Sequence, residues 1–587
     1  MSKTFEFQEQ LKTLPLSNLD DAGQNFLNWV EPLLSKEQFT TTKDSLQNFM
    51  NKDGRILENK LEEWSKQNDG NWLAPLWSDM YLDIREPVAI DVNYFVKIIT
   101  KDLKTKYSYS QIASVMIHKL MDIYESISNE TFEPEKIRNT PICMAAYKKM
   151  FKATRVPKLT KDEYIVQEKT KQSHIVVFYQ NQMFKINLTN ENGEKYSSQI
   201  IMNTLNKLTE MSLKQSNIGV GIITTTNRDK AAVVLEDILS IEKNSKNFEI
   251  LKNALFAVCI DEDSKDIYEF GKTLIGSNAN NRYFDKNLQL ILNKDGDFGF
   301  NLEHTGADAG SWITVINMVY QELGNIEEHL QNRSSKSADI EKIDWELSSE
   351  ITKELHQIEN EHNAKVNDIE FQTIHFQDFG SNTIKSLKYS PDAFLQLALQ
   401  LAQYRTYGKL KSTYEAVATR IYRNGRTECT RPISTELLDF IKAFEDNNTD
   451  TRTLQNMMSD ACQKQSSRVK DCLGSNGVER YFFALKNMYT LFANELNLDQ
   501  LPEFFNDLGY QELTYSYIST SRIESKYFDL GGFGPVVPDG YGFWYNLLEK
   551  QIDMNLITRK SINGEKSQHF KNAIITSLND LMKLASK

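Results

Sequence analysis

Three features of the sequence predict a mixed α/β fold. Short apolar runs of strand length recur between longer segments with helical spacing. Two of those runs lie close enough to form a hairpin. A third stretch, near the middle, alternates as a strand and then passes into a small-residue loop. The chain has 587 residues, enough for two or more domains with sizeable cores.

Residues 1 to about 65 are predicted helical, because Phe26, Trp29, Val30, Leu33 and Leu34 recur at spacings of three and four. The stretch 71–87 is rich in aromatic and turn residues, and its large rings are expected in the core. The runs 174–179 and 183–188 flank Gln180-Asn181-Gln182 and predict the hairpin. The runs 219–225 and 254–260 are expected as further strands, and the polar tract 226–230 as ordinary loop. After the central stretch, 312–330 has the pattern of an amphipathic helix, and the polar, charged 331–349 suits a loop or domain crossing. His356 and His362 lie six apart in a charged helical stretch. That spacing does not set both on one helix face as a metal pair needs, so both are expected at the surface. No internal repeat stands out.

The composition, 40% hydrophobic and 25% charged, is that of an ordinary globular chain. The net charge of -12 argues against general nucleic-acid binding, while a local cluster of Lys and Arg could still hold an anionic ligand. Five cysteines, at 143, 259, 429, 462 and 472, have no metal-ligand spacing, so no metal site is expected. Their small, odd number speaks against a disulfide framework and suits a reducing compartment. No apolar run is long enough for a transmembrane segment. The first residues have neither signal-peptide nor transit-peptide character, and the chain does not end in Ser-Lys-Leu. Cytoplasm is the default expectation, with mitochondrion and peroxisome left open. The chain is expected to be a monomer.

The central stretch is 298–310. Read as a strand, it places Phe298, Phe300 and Leu302 on one face, with His304 next on that face. An imidazole so placed is partly desolvated, which disfavours its charged form and leaves it able to accept a proton. The Gly and Ala residues that follow are expected to leave room for a substrate. Taken alone, such a histidine is more often an ordinary core residue at a strand end.

Other segments give it company. Asn281 to Gln289 lies just upstream. The second half contains 379–394 with Lys385, Lys388 and Asp392; Thr413-Tyr414-Glu415; 425–432 with Thr427; 477–485 with Arg480; and 517–542 with Ser519, Ser521, Gly531 and Phe533. Together with Glu303-His304 and Asp308, and in this order, these segments resemble the carnitine/choline acyltransferase family. Parts of 71–87, 141–157 and 226–230 resemble it too, so the resemblance spans roughly Trp72 to Gly542.

That resemblance implies two α/β domains of related topology, with mixed sheets flanked by helices and the active site in a tunnel at the domain interface. Residues 61–346 would form the domain with the catalytic His, and 1–60 with 347–587 the domain with the binding elements. It implies His304 as general base and Ser521 as hydrogen-bond donor to the oxyanion, with no acyl-enzyme. Lys385, Lys388 and Asp392 would belong to the segment that holds coenzyme A. Relatives often carry a second lysine where this chain has Ser381, and Lys388 is the candidate to compensate. Tyr414, Thr427 and Arg480 would meet the carboxylate of carnitine. Ser519 would contact carnitine, and Phe533 would offer its ring to the trimethylammonium. Cys429 stands where relatives often have Thr. Asp308 would orient the site through hydrogen bonds.

The choline-using branch has an amide at the Arg480 position and an apolar residue at the Thr427 position, so carnitine is the implied acceptor. Short-chain members tend to place Met where this chain has Gly531. By that comparison the glycine opens the acyl pocket, and medium- or long-chain groups are expected over acetyl, with acetyl transfer the alternative. Coenzyme A enters as a substrate, and no permanent cofactor is implied. Three rivals remain: a choline acetyltransferase of the same fold, a Ser-His hydrolase, and a non-catalytic acyl-CoA-binding module. The sequence lacks the Gly-x-Ser-x-Gly elbow of many Ser-His hydrolases.

Overall fold

The computed structural model describes residues 3–68, 71–331, 334–446 and 448–587, so residues 332–333 of the expected crossing lie outside the described residues. The fold is mixed α/β, with helices packed on two large sheets. Among the described residues, one sheet has eight strands, in the order Ile340–Ile343, Gln182–Asn187, His174–Tyr179, Ala257–Asp261, Leu288–Asn293, Phe298–Leu302, Tyr94–Ile98 and Phe528–Phe533. The other has six: Ile369–Phe376, Ile552–Arg559, Tyr541–Leu547, Ile518–Arg522, Thr413–Ala418 and Thr427–Thr430. Phe528–Phe533 comes from the C-terminal half yet pairs with Tyr94–Ile98, so the two halves share a sheet edge.

The N-terminal region forms three helices, Leu19–Val30, Lys36–Asn51 and Asp53–Gln67, with only a short 3-10 turn before them. Phe26, Trp29 and Val30 are buried as their spacing predicts, in a cluster that includes Val478, Tyr481 and Phe482 of the C-terminal half. The hairpin forms with one adjustment: Gln182 joins the second strand, and Gln180 and Asn181 make a two-residue turn. Both have positive φ, 54° and 59°, the conformation that matches the twist of the flanking strands.

Two expectations fail. Residues 219–225 are not a strand. Val220–Thr225 is a 3-10 helix, tightened by Thr224 and Thr225, whose hydroxyls donate to the carbonyls of Gly221 and Ile222 at 2.7 Å. The glycines let this segment press on 280–282: a Cβ on Gly221 would sit 1.6 Å from the Arg282 carbonyl. A short apolar run cannot distinguish the two outcomes. His362 is not at the surface. It is 2% exposed and shares the inward face of helix Ser349–Asn367 with Leu355 and Val366. Its Nε2 bonds the Gly276 carbonyl at 2.8 Å, and burial pushes its pKa down to about 4. His356 is half-buried against Glu359, its side chain keeping 43% exposure, so the surface expectation holds for it only in part. The crossing 331–349 contains the edge strand Ile340–Ile343. All five cysteines are free and buried. Among the described residues, no helix is long and apolar enough to cross a membrane.

Candidate active site

Phe298–Leu302 buries Phe298, Phe300 and Leu302 in one apolar cluster, and His304 follows in the loop. The imidazole lies between two tyrosines. Tyr81 stacks on it at 5.0 Å between centroids, and Tyr94 meets it edge-on, also at 5.0 Å. Its side chain keeps 27% exposure, so the ring is enclosed yet reachable. Burial pushes the His304 pKa below its ordinary value, and Asp308, with Oδ1 at 3.8 Å from Nδ1, only partly opposes this. Nδ1 is enclosed and meets no hydrogen-bond partner among the described residues. Burial thus favours the neutral form of the imidazole.

Asp308 is held by Arg426, whose Nε and Nη2 donate to its two oxygens at 2.8 and 3.1 Å. Burial works to raise the Asp308 carboxyl, but Arg426 outweighs it and keeps it ionised. Arg426 also donates to the carbonyls of Thr305 and His304, which fixes the loop. Gly306 does not leave room for substrate as expected: a Cβ there would sit 2.2 Å from the Tyr164 hydroxyl, so the space belongs to Tyr164.

Behind the loop lies a buried ionic network. Arg155 and Arg228 both donate to Asp162 Oδ2, at 2.6 and 2.7 Å, and Arg228 grips Asp285 at 2.8 and 3.0 Å. Glu303 closes it, with Oε1 3.6 Å from Arg155. Burial pushes Asp285 up to about 6, against the pull of Arg228. Removing one partner of such a network leaves a buried charge uncompensated, at a cost of about 3–5 kcal/mol. The tract 226–230 is therefore not plain loop: Arg228 is fully buried and anchors the wall behind His304.

The opposite wall comes from the six-stranded sheet. Tyr414 and Ser519 are register partners, and Ser521 lies two residues further along the same face of Ile518–Arg522. Arg480, at the start of helix Glu479–Phe492, donates to the Tyr414 hydroxyl at 3.0 Å and to the Thr427 carbonyl at 3.2 Å. It is 5% exposed. Among the described residues, no carboxylate lies in salt-bridge contact with its guanidinium. Glu428 instead accepts from the backbone N–H of Arg480 and Cys429, and burial pushes its carboxyl up to about 7. The Cys429 thiol is buried and bonds the Thr430 carbonyl.

Helix Leu73–Asp83 joins the two walls. Trp77 and Tyr81 lie four residues apart on one face and pack edge-on at 5.8 Å. The Arg480 guanidinium lies 3.8 Å above the Trp77 ring, while Tyr81 carries His304. These aromatics, expected only as core, thus span from the arginine to the histidine. On the eight-stranded sheet, Phe533 pairs with Tyr94 and Gly531 with Val96. Phe533 is half-buried, one strand away from the tyrosine that touches His304.

Gly531 does not open a channel. A Cβ there would meet the indole of Trp544 at 2.6 Å, and Trp544 has no exposed surface. The expectation that this glycine admits long chains meets a filled space. Lys385 and Lys388 are both exposed, around the end of helix Ser381–Ser386. Ser381 itself is buried, so these two lysines are the segment's exposed cations. Asp392 accepts from the Tyr545 hydroxyl at 2.8 Å and lies 3.6 Å from Arg522. That ties the segment to the residues following Trp544 and Ser521.

The choline/carnitine O-acyltransferase family model matches residues 14–576. Carnitine O-acetyltransferase of Rattus norvegicus is 28% identical over 594 residues, covering 98% of this chain and 94% of that protein. The Homo sapiens protein of the same name matches at the same identity and coverage. Mitochondrial carnitine O-palmitoyltransferase 2 of Rattus norvegicus is 26% identical over 618 residues, covering 98% of this chain and 92% of that protein.

Proposed function

The chain belongs to the choline/carnitine O-acyltransferase family, and from that membership we propose that it transfers an acyl group reversibly between acyl-CoA and carnitine. The observation that carries the choice of carnitine is Arg480. Its guanidinium is buried over the Trp77 ring, with a tyrosine hydroxyl and a carbonyl as hydrogen-bond partners and, among the described residues, no carboxylate in salt-bridge contact. A buried guanidinium with no carboxylate in direct contact still favours an anion at that point. Carnitine supplies one and choline does not. Tyr414 and Thr427 border the same place, and Phe533 offers an aromatic face to the quaternary ammonium.

In this reading, Nε2 of His304 is the nitrogen presented to substrate, since Nδ1 is enclosed. It takes the carnitine hydroxyl proton as the oxygen attacks the thioester carbonyl. The tetrahedral oxyanion is met by Ser521. Collapse expels the CoA sulfur, which receives the proton back from His304. Asp308 and Arg426 hold the loop that carries the base. Lys385 and Lys388 would meet the phosphates of CoA as exposed point charges. The reading takes 61–346, and 1–60 with 347–587, as two domains with the reaction between them. Gly531 on its own would favour medium or long acyl chains; the indole beside it turns the reading toward short ones.

Release of free CoA from acetyl-CoA, followed with carnitine, with choline and with neither, tests the proposal. Carnitine is expected to exceed choline by about a hundredfold or more, the upper end of what a hydrogen bond to a charged group contributes. Equal rates with choline would point to the same-fold rival. Release without either acceptor would point to a hydrolase, and no release to a binding module.

A further inference from the structure

We infer that Trp544, rather than the residue at 531, sets the acyl-chain limit of this enzyme, closing the acyl pocket so that short chains are preferred. This rests on the acyl-transfer reading above. Trp544 is the register partner of Ser521 in the neighbouring parallel strand, so its side chain rises from the same sheet face, one strand away. An acyl tail leaving a carbonyl held at Ser521 meets that indole. From the other side, Gly531 faces the same ring: a Cβ on Gly531 would sit 2.6 Å from Cε2 and 2.7 Å from Nε1. The Gly531 strand pairs with Tyr94–Ile98, whose Tyr94 lies against His304. The indole therefore stands between the two walls, where the tail must pass.

Two further observations assign the ring a space-filling role. Trp544 packs in one cluster with Tyr94, Val96, Phe528 and Trp312, and shows no surface to solvent. Its Nε1 is buried and donates to no described residue. Buried tryptophans usually find a partner for that donor, so here volume, not hydrogen bonding, holds the indole. Positions 531 and 544 are complementary: glycine at one makes room for the largest side chain at the other. Reading either alone gives the wrong pocket.

The test is competition between acetyl-CoA and octanoyl-CoA for carnitine, in one vessel, for the native enzyme, Trp544→Ala and Trp544→Leu. The ratio of products gives relative kcat/KM independently of the fraction of folded enzyme. Leucine keeps much of the apolar filling should alanine fail to fold. The native enzyme is expected to favour acetyl by about tenfold or more, and each variant to raise the octanoyl share by at least about tenfold. Gly531→Met is expected to fold poorly alone and better with Trp544→Ala. A native enzyme that takes octanoyl as well as acetyl, or variants that leave the ratio unchanged, would overturn the assignment of Trp544 alone. Absence of carnitine-dependent transfer with both thioesters would overturn the acyl-transfer reading and this inference with it.

Discussion

His304→Ala is expected to lower kcat by about three to four orders of magnitude, with KM for carnitine nearly unchanged. General-base catalysis typically contributes 10²–10⁴-fold, and here no second imidazole lies near to substitute. The loss should be chemical rather than structural. The His304 side chain makes no hydrogen bond that the fold depends on, and its loop is held by Arg426 through Asp308 and backbone carbonyls. The pH profile separates these possibilities. Burial lowers the pKa of His304 below 6.5, so the base stays unprotonated to lower pH than a free imidazole. For the native enzyme, the acid limb of kcat/KM should therefore fall below pH 6.5. In the alanine variant that limb should vanish from the residual rate. A limb that persists would assign it to another group.

Arg480→Gln is expected to raise KM for carnitine by about a hundredfold, with a smaller change in kcat and none in KM for acyl-CoA. A hydrogen bond to a charged group contributes about 1.5–3 kcal/mol, and the carboxylate is bound in ground and transition states alike. Arg480→Lys should recover part of the loss, because it restores the charge but not the planar fork that reaches Tyr414 and stacks on Trp77. An equal rise in KM for both substrates would show that the variant had disturbed the wall as a whole, and would count against a carboxylate site at Arg480.

Much of this was legible in the sequence. The alternation of Phe298, Phe300 and Leu302 placed their strand face correctly, and motif order carried Tyr414, Thr427, Arg480, Ser519 and Ser521 to one wall. What failed has a common cause: the missed residues act through partners distant in sequence. Arg426 was adjacent to a residue already singled out, yet its bond to Asp308 spans 118 positions. Arg228 looked like loop because its partners, Asp162 and Asp285, lie 66 and 57 residues away. Trp77 and Tyr81 looked like core because an aromatic face towards a substrate and one towards an interior have the same spacing. Gly531 alone reads as a vacancy, whereas its meaning depends on Trp544, which is near in sequence but belongs to the other sheet, a packing that no local pattern reveals. His362 shows the same limit in miniature, as a charged helix can still turn one histidine inward.

The proposed chemistry requires one imidazole to take a proton from an alcohol whose far end is anchored by a guanidinium. A crystal structure with carnitine bound tests that pairing most directly. The predicted result is a carnitine hydroxyl within about 2.6–3.2 Å of His304 Nε2, with the carboxylate on Arg480 and Tyr414. Carnitine bound with its hydroxyl out of reach of residue 304, or with its carboxylate turned away from Arg480, would contradict it.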